Sequence, residues 1–372
     1  NYLAEWTLPY YNPTPEPNYN ILPSGLNQLA VFGYQSFDEE PYTVPFVAIT
    51  SDFQTPASEG GPTWTVYSHT AYGTQFAVDA FSYATGIING WILGPGGVWR
   101  IDDIFNTRSL SQLISSSNLR SIDASFIQPG LVVISGHDSN GSYVRVSTDG
   151  TTFSPPRYIT NIAQSGDVKL SQHTAGKIFT SAKTSGEGKA HGYISLNYGE
   201  TWEISSDPLF SNTGSVSHAI HVPYNDNENE KIVYWIDPQE GLSSGLYIRK
   251  VNGTTQTLID IITHSGIFVT MQGRWTMDSC PINRQRFVHV DSTTENKWHV
   301  DFSEDGGDTT SRSTNGTPNI YCAAISGDNE DVVYLGGAGY VGYTDNFGVT
   351  VDDRRGNLPY NCNVYGFCGG TF

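Results

Sequence analysis

Ser195-Leu196-Asn197-Tyr198-Gly199-Glu200-Thr201-Trp202 is the stretch that decides the fold. It reads Ser-x-Asn-x-Gly-x-Thr-Trp, and its frame returns along the whole chain. Ser303-Glu304-Asp305-Gly306-Gly307-Asp308-Thr309-Thr310 keeps the frame with Thr in place of Trp, and Thr344 to Val351 keeps the acceptor Asn346, Gly348 and Thr350. Ser147-Thr148-Asp149-Gly150-Thr151-Thr152-Phe153 is a version one residue shorter. Weaker copies surround Asp103, Asn252 and Asp52. The turn centres fall near 53, 104, 150, 199, 253, 307 and 348, in steps of 51, 46, 49, 54, 54 and 41 residues.

The motif has the chemistry of a hairpin turn. An Asp or Asn side chain bonds its own backbone two residues on, and Gly supplies a positive-φ position. The closing Thr-Trp starts the next strand and lays an aromatic ring on the sheet. A repeat period of this length is the signature of a propeller-like array.

The motif resembles that of the Asp-box, or BNR-repeat, propeller proteins, and the resemblance covers the chain from residue 29 onward. It implies a box between the third and fourth strands of each blade, at the outer edge. It therefore implies a structural role for Asp52, Asp103, Asp149, Asn197, Asn252, Asp305 and Asn346. The group includes sialidases, which need an arginine triad and an early Arg-Ile-Pro-type motif. No Arg precedes Arg100, so sialidase activity is not expected.

Around each box the same order repeats. Gln75–Phe81, Ile88–Gly94 and Gly97–Ile101 read as three strands running into Asp103. Ile320–Ile325, Asp331–Gly336 and Tyr340–Thr344 repeat that layout before Asn346. These are short β-branched and aromatic runs bounded by turn formers. The Ser-rich end of 104–119 reads as a loop. Seven boxes in 372 residues predict an all-β, seven-bladed propeller of four-stranded blades. Leu29–Tyr34 reads as a second strand and Asn363–Cys368 as a first strand. The C-terminal strand is therefore expected to complete the first blade, which protects the sheet edges. Residues 29–372 are assigned to the propeller, and residues 1–28, rich in Pro, Tyr and Asn, to an extended arm or an incoming linker.

The 37 acidic and 19 basic residues give a net charge of −18, which argues against nucleic acid and anionic membranes as partners. No apolar run reaches the roughly 18 residues of a membrane helix. The composition suits an extracellular, virion or cell surface, and the chain reads as a mature product or part of a larger polypeptide. Asn140-Gly141-Ser142, Asn252-Gly253-Thr254 and Asn315-Gly316-Thr317 are sequons. Cys280, Cys322, Cys362 and Cys368 lack a zinc spacing. Cys362 and Cys368 lie about 20 Å apart on one extended strand, too far to bond each other without a turn. Either Cys322 bridges one of them and staples the closure, or the thiols are free and buried.

In a propeller, ligands meet the first strands and the loops above them, which draws attention to Asp79, Arg120, Asp123, Lys169, His173, His218, His221, Arg274, Trp275 and Asp278. Asp79, Asp123 and Asp278 occupy similar places in three repeats. Two such carboxylates facing each other are the acid and base of a glycosidase; the plainer alternative is that they bind backbone amides. His218 as a general base beside Arg274 or Arg120 would suit a lyase acting on an acidic glycan. His218 and His221, three apart on a strand, point to opposite faces, which argues against a metal pair. Trp275, Arg120 and His173 are binding candidates. No metal site, cofactor motif, phosphate loop or nucleophile elbow is present in the sequence pattern. The composition, 13% aromatic, offers stacking surfaces. The expectation is a non-enzymatic recognition or scaffold domain for a glycan or surface protein, with a glycoside hydrolase or lyase as the alternative.

Overall fold

The computed structural model describes residues 27–37, 43–205 and 219–369, apart from 74, 95, 163, 172–173, 185–189, 222–230, 237–243, 253–254, 265–276, 281–282, 284, 293–297, 306–308, 310 and 315–318. Between 219 and 264 the backbone alone is described. Every regular element is a strand, apart from short 3-10 turns such as Ala80–Thr85.

The strands form four-stranded sheets in which sequence neighbours pair. The second sheet holds β4 (Gln75–Val78), β5 (Gly90–Gly94), β6 (Gly97–Asp102) and β7 (Ser109–Ser115). The third holds β8 (Leu119–Ala124), β9 (Val132–Asp138), β10 (Gly141–Ser147) and β11 (Arg157–Thr160). The fourth holds β12 (Ser165–Leu170), β13 (Ile178–Lys183), β14 (Ala190–Ser195) and β15 (Glu203–Ile204). The fifth holds β16 (Ala219–His221), β17 (Lys231–Ile236), β18 (Ser244–Asn252) and β19 (Thr255–His264). The sixth holds β20 (Met277–Ser279), β21 (Phe287–Ser292), β22 (Trp298–Ser303) and β23 (Arg312–Ser313). The last holds β24 (Ile320–Ile325), β25 (Val333–Gly337), β26 (Tyr340–Thr344) and β27 (Asp352–Asp353).

The first sheet is assembled from both ends of the chain. It joins β1 (Leu29–Ser36), β2 (Thr43–Thr50) and β3 (Thr65–Ser68) to β28 (Cys362–Gly369) in the order β28-β1-β2-β3. Antiparallel pairs run from Leu29 opposite Gly369 to Gln35 opposite Cys362. The C-terminal strand completes the first sheet, as the strand pattern at the two ends anticipates.

The chain divides into two compact units. One contains β8 to β19, the other β1 to β6 and β20 to β28, and the boundary falls within β7. The expectation of a seven-bladed propeller is corrected to six blades. The described structure is all-β, with six four-stranded blades described to their side chains. A further four-stranded sheet, β16–β19, is described in backbone only. Residues 104–119 are corrected too: Ser109–Ser115 is the outer strand β7 and not a loop. Its apolar residues Leu110, Leu113 and Ile114 are spaced without the period of two, and only Ile114 is buried, as an outermost strand allows.

Each box lies between the third and fourth strands of its sheet. Asn197 Oδ1 accepts from Ser195 Oγ at 3.0 Å and from Thr201 N at 3.0 Å, and Asn197 Nδ2 donates to Thr201 Oγ1 at 2.9 Å. Asn346 repeats this with Thr344 Oγ1, Thr350 N and Thr350 Oγ1. Asp149 accepts from Thr151 N and Thr152 N, and these bonds hold its carboxyl well below the usual range. Asp305 accepts from Ser303 Oγ and Thr309 N, and Asp103 accepts from Asn106 Nδ2 and Thr107 N. Asp52 accepts from Thr50 Oγ1 and Thr63 N. The Asn252 side chain lies outside the described residues.

The turn is also a joint. Gly199 has φ +84°, and a Cβ there would come within 2.8 Å of Val144 Cγ2 on the preceding blade. Gly348, at φ +81°, would strike Phe302 of its preceding blade at 2.7 Å. Phe347, at φ 49°, meets Phe302 edge-on at 5.3 Å between centroids. Arginines tie the same joint: Arg157 donates to Tyr198 O, and Arg354 donates to Gln54 O at 2.9 Å. Beneath the turn lies one apolar seam: Leu131, Val133, Val144 and Val146 pack on Val168, Leu170 and Ile178, flanked by Tyr198 and Trp202. Each such aliphatic side chain contributes about 1.5–3 kcal/mol when fully buried.

The cysteine alternatives are decided for Cys322 and Cys362. Both are free and buried, Cys280 is buried as well, and no bridge from Cys322 staples the closure. Burial raises the Cys322 thiol well above its ordinary value and pushes Cys362 up to about 12, so neither forms the thiolate that oxidation requires. The closure rests on the β1–β28 ladder and on buried Val364 and Phe367.

Two outcomes test this account. Gly199→Ala should destabilise the protein by about 1–2 kcal/mol from the left-handed backbone alone, with the Val144 contact adding to it. The readout is a lower urea midpoint at unchanged slope. Truncation before Cys362 should remove protection from proteolysis at β1, since β1 would become an unpaired edge.

Candidate functional site

Among the described residues, first strands carry β-bulges in four blades. The register shifts at Arg120 in β8, at Gly166–Asp167 in β12, at Tyr321 in β24 and at Tyr365 in β28. A bulge leaves a residue without a ladder partner and re-aims its side chain. In β12 the freed carbonyls are satisfied by hydroxyls. Ser135 Oγ donates to Gly166 O at 2.9 Å, and Thr180 Oγ1 donates to Asp167 O at 2.8 Å.

In the unit containing β8 and β12, the re-aimed Arg120 and Asp167 join Asp123 and Lys169 of the regular ladder in a cluster of four charges. Arg120 Nε lies 3.5 Å from Asp167 Oδ1, and Lys169 Nζ lies 3.5 Å from Asp123 Oδ1. The Asp123 side chain is 1% exposed and the Asp167 side chain 7%. Leu170 N donates to Asp123 Oδ2 at 2.8 Å. Burial pushes the Asp167 carboxyl up to about 6, against the opposing pull of Arg120 and Lys169. The cluster is neutral when both carboxylates are ionised and gains one positive charge when Asp167 takes up a proton. Asp167 is not legible in the sequence as a site residue: its run, Ser165-Gly166-Asp167-Val168, reads as a strand start, and only the bulge turns it toward Arg120.

Asp278 repeats the role of Asp123. Its Oδ2 accepts from Ile325 N at 2.9 Å, on the first strand of the next blade. Both carboxylates bond an amide 47 positions on, one blade further along the chain. Asp79 follows its strand directly. β4 ends at Val78, and Asp79 Oδ1 accepts from Phe81 N at 3.2 Å at the start of the 3-10 turn. The reading of Gln75–Phe81 as one strand is corrected accordingly. His173, His218, Arg274 and Trp275 lie outside the described residues, as does the side chain of His221.

A second buried cluster gave no sequence signal. His289 on β21 stands opposite Asp301 on β22, and His299 shares the Asp301 face two residues away. His289 Nε2 and His299 Nε2 lie 3.5 and 3.3 Å from the two Asp301 oxygens. Burial works to raise the Asp301 carboxyl. The His299 hydrogen bond and the imidazole charges outweigh that and hold it below its ordinary value. Among the described residues, no group of three His, Cys, Asp or Glu side chains has the geometry to hold a metal ion, and no helix is long and apolar enough to cross a membrane.

Consecutive four-stranded antiparallel blades, with the last strand completing the first sheet, define the class: a β-propeller fold. No family model matches the chain, and no curated protein does. Among solved structures it is similar to the β-propeller domain of the Trilobed protease from Pyrococcus furiosus, at 10% identity over 90% of this chain and 94% of that one, with a TM-score of 0.48. It is similar to YCF48 bound to D1 peptide at 14% identity over 88% and 89%, TM-score 0.46. A nidogen/laminin complex matches at 12% identity over 73% and 94%, TM-score 0.42.

Asp123→Ala should cost about 3–5 kcal/mol, because it leaves the Lys169 charge and the Leu170 amide without their buried acceptor. Asp123→Asn, which keeps an acceptor, should cost less, and urea unfolding separates the two. Asp167 gives a pH signature of fixed sign. Its folded value lies above the ordinary 3.8, so its contribution is fully present below that pH and is lost as pH rises through about 6. Stability measured from pH 4 to 7 should show this decline, and Asp167→Asn should flatten it.

Proposed function

We propose that this chain is a non-enzymatic recognition or scaffold propeller on an extracellular, virion or cell surface, and that its ligand is a glycan or a protein. One observation carries the reading. The equivalent first-strand carboxylates Asp123 and Asp278 are engaged by backbone amides of the next blade, Leu170 N and Ile325 N. Asp123 is further matched by Lys169. Carboxylates in this state tie blades together. That engagement supports a structural use of both carboxylates over an acid–base one, which would need them open to the substrate. The acidic composition, with a net charge of −18, supports a soluble, exposed setting.

A second reading rests on Asp167. A carboxyl held near 6 beside a cation has the acidity of a general acid, and a glycoside hydrolase or a lyase on an acidic glycan would use one. The burial of Asp167 weighs against it, since the acid must reach the leaving oxygen.

A glycan-array screen coupled to an assay for new reducing or unsaturated ends separates the two. Binding without turnover is the expected result. Turnover that follows a pH profile near 6 and disappears in Asp167→Asn would replace the recognition reading with the enzymatic one.

A further inference from the structure

The unit containing β1, β24 and β28 places tyrosines where the other unit places charges. Tyr321 and Tyr365 are the bulge residues of two neighbouring first strands. Their rings stack at 5.0 Å between centroids and 8° between planes. Tyr34, on β1, meets Tyr365 edge-on at 6.5 Å. All three rings are half-buried, so each is held by packing yet keeps part of its surface in solvent. Burial raises the pKa of all three phenols, so they stay neutral through the physiological range.

The surroundings are amides. The Asn319 side chain bonds the Tyr321 hydroxyl. Asn361 Nδ2 donates to Ser36 O at 2.8 Å, Gln35 Nε2 donates to Asn361 Oδ1 at 3.3 Å, and Asn363 Nδ2 donates to Ser36 Oγ at 2.9 Å. These bonds fix the amides in place along the β1–β28 ladder. Rings locked by stacking and amides locked by hydrogen bonds present their contacts with little ordering cost to a ligand.

Resting on the recognition reading above, we propose that Tyr34, Tyr321 and Tyr365 form a docking platform for a neutral saccharide. A pyranose ring has one face of C–H groups that lies flat on an aromatic ring, and equatorial hydroxyls that pair with Asn and Gln side chains. The named cluster carries no charge, so it offers nothing to a uronate or a sialic acid. The fold explains the position. A bulge turns Tyr321 and Tyr365 out of the ladder, and the closure of the first sheet brings Tyr365 against both Tyr34 and Tyr321.

The test uses the full chain and arrays of neutral cello-, xylo-, manno- and galacto-oligosaccharides, followed by calorimetry and saturation-transfer NMR on the array hits. At least one neutral oligosaccharide should bind, with saturation strongest on its C–H face. Tyr321→Ala and Tyr365→Ala should each weaken binding at least tenfold, while Tyr321→Phe, which keeps the ring, should retain it. Near-UV circular dichroism confirms that the variants are folded, and Tyr34→Ala, at the edge of the stack, gives a milder loss if either central variant does not fold. Glycan binding unchanged in every tyrosine variant would overturn the platform and leave the recognition reading standing. So would capture of a proline-rich peptide in place of any sugar. New reducing ends would instead overturn the recognition reading.

Discussion

The packing of one blade on the next is the constraint on which the rest depends. A four-stranded antiparallel sheet whose middle strands are apolar on both faces must bury those faces against other elements. The seam of Leu131, Val133, Val144 and Val146 against Val168, Leu170 and Ile178 supplies the missing cover. Polar ties register the seam. At one level Asp123 and Asp278 reach the amides of the following first strand. At another the box turn seats its glycine on the preceding blade, and an arginine bonds the turn carbonyl.

This arrangement changes the meaning of the box. An Asx-type turn needs only its own hydrogen bonds, and Asn197 and Asn346 have them. The positive-φ glycine meets a second requirement as well, because Val144 and Phe302 leave no room for a Cβ. The same turn therefore ends one hairpin and locates the next blade. A residue so used has little freedom left for a ligand. The charged and aromatic clusters lie instead where the ladder is interrupted, at the first-strand bulges that re-aim Arg120, Asp167, Tyr321 and Tyr365.

Much of this is legible in the chain itself. The strands Ile320–Ile325 and Tyr340–Thr344 can be read to the residue, and the C-terminal strand falls beside the first sheet as its pattern requires. Alternation, turn formers and repeat spacing are local signals, and they survive without tertiary context. The outer strand β7 escapes such a reading because an edge strand half in solvent has little apolar periodicity. The end of β4 is misread by it because a strand that ends at Val78 and one that runs to Phe81 look alike until a 3-10 turn forms. The disulfide alternative stays open at that level because only folded geometry shows which thiols meet.

The sequence by itself determined the all-β class, the hairpin turns and the order of strands, since each follows from neighbours within a few residues. Only the tertiary structure decided the division into two units, the free state of Cys322 and Cys362, and the assembly of the buried charge cluster and the stacked tyrosines. Arg120 and Asp167 are 47 positions apart, and Tyr34 and Tyr365 belong to opposite ends of the chain. No local pattern encodes such pairs. They arise because blade packing stacks equivalent first strands side by side, and because a bulge, invisible in composition, sets which side chain leaves the ladder.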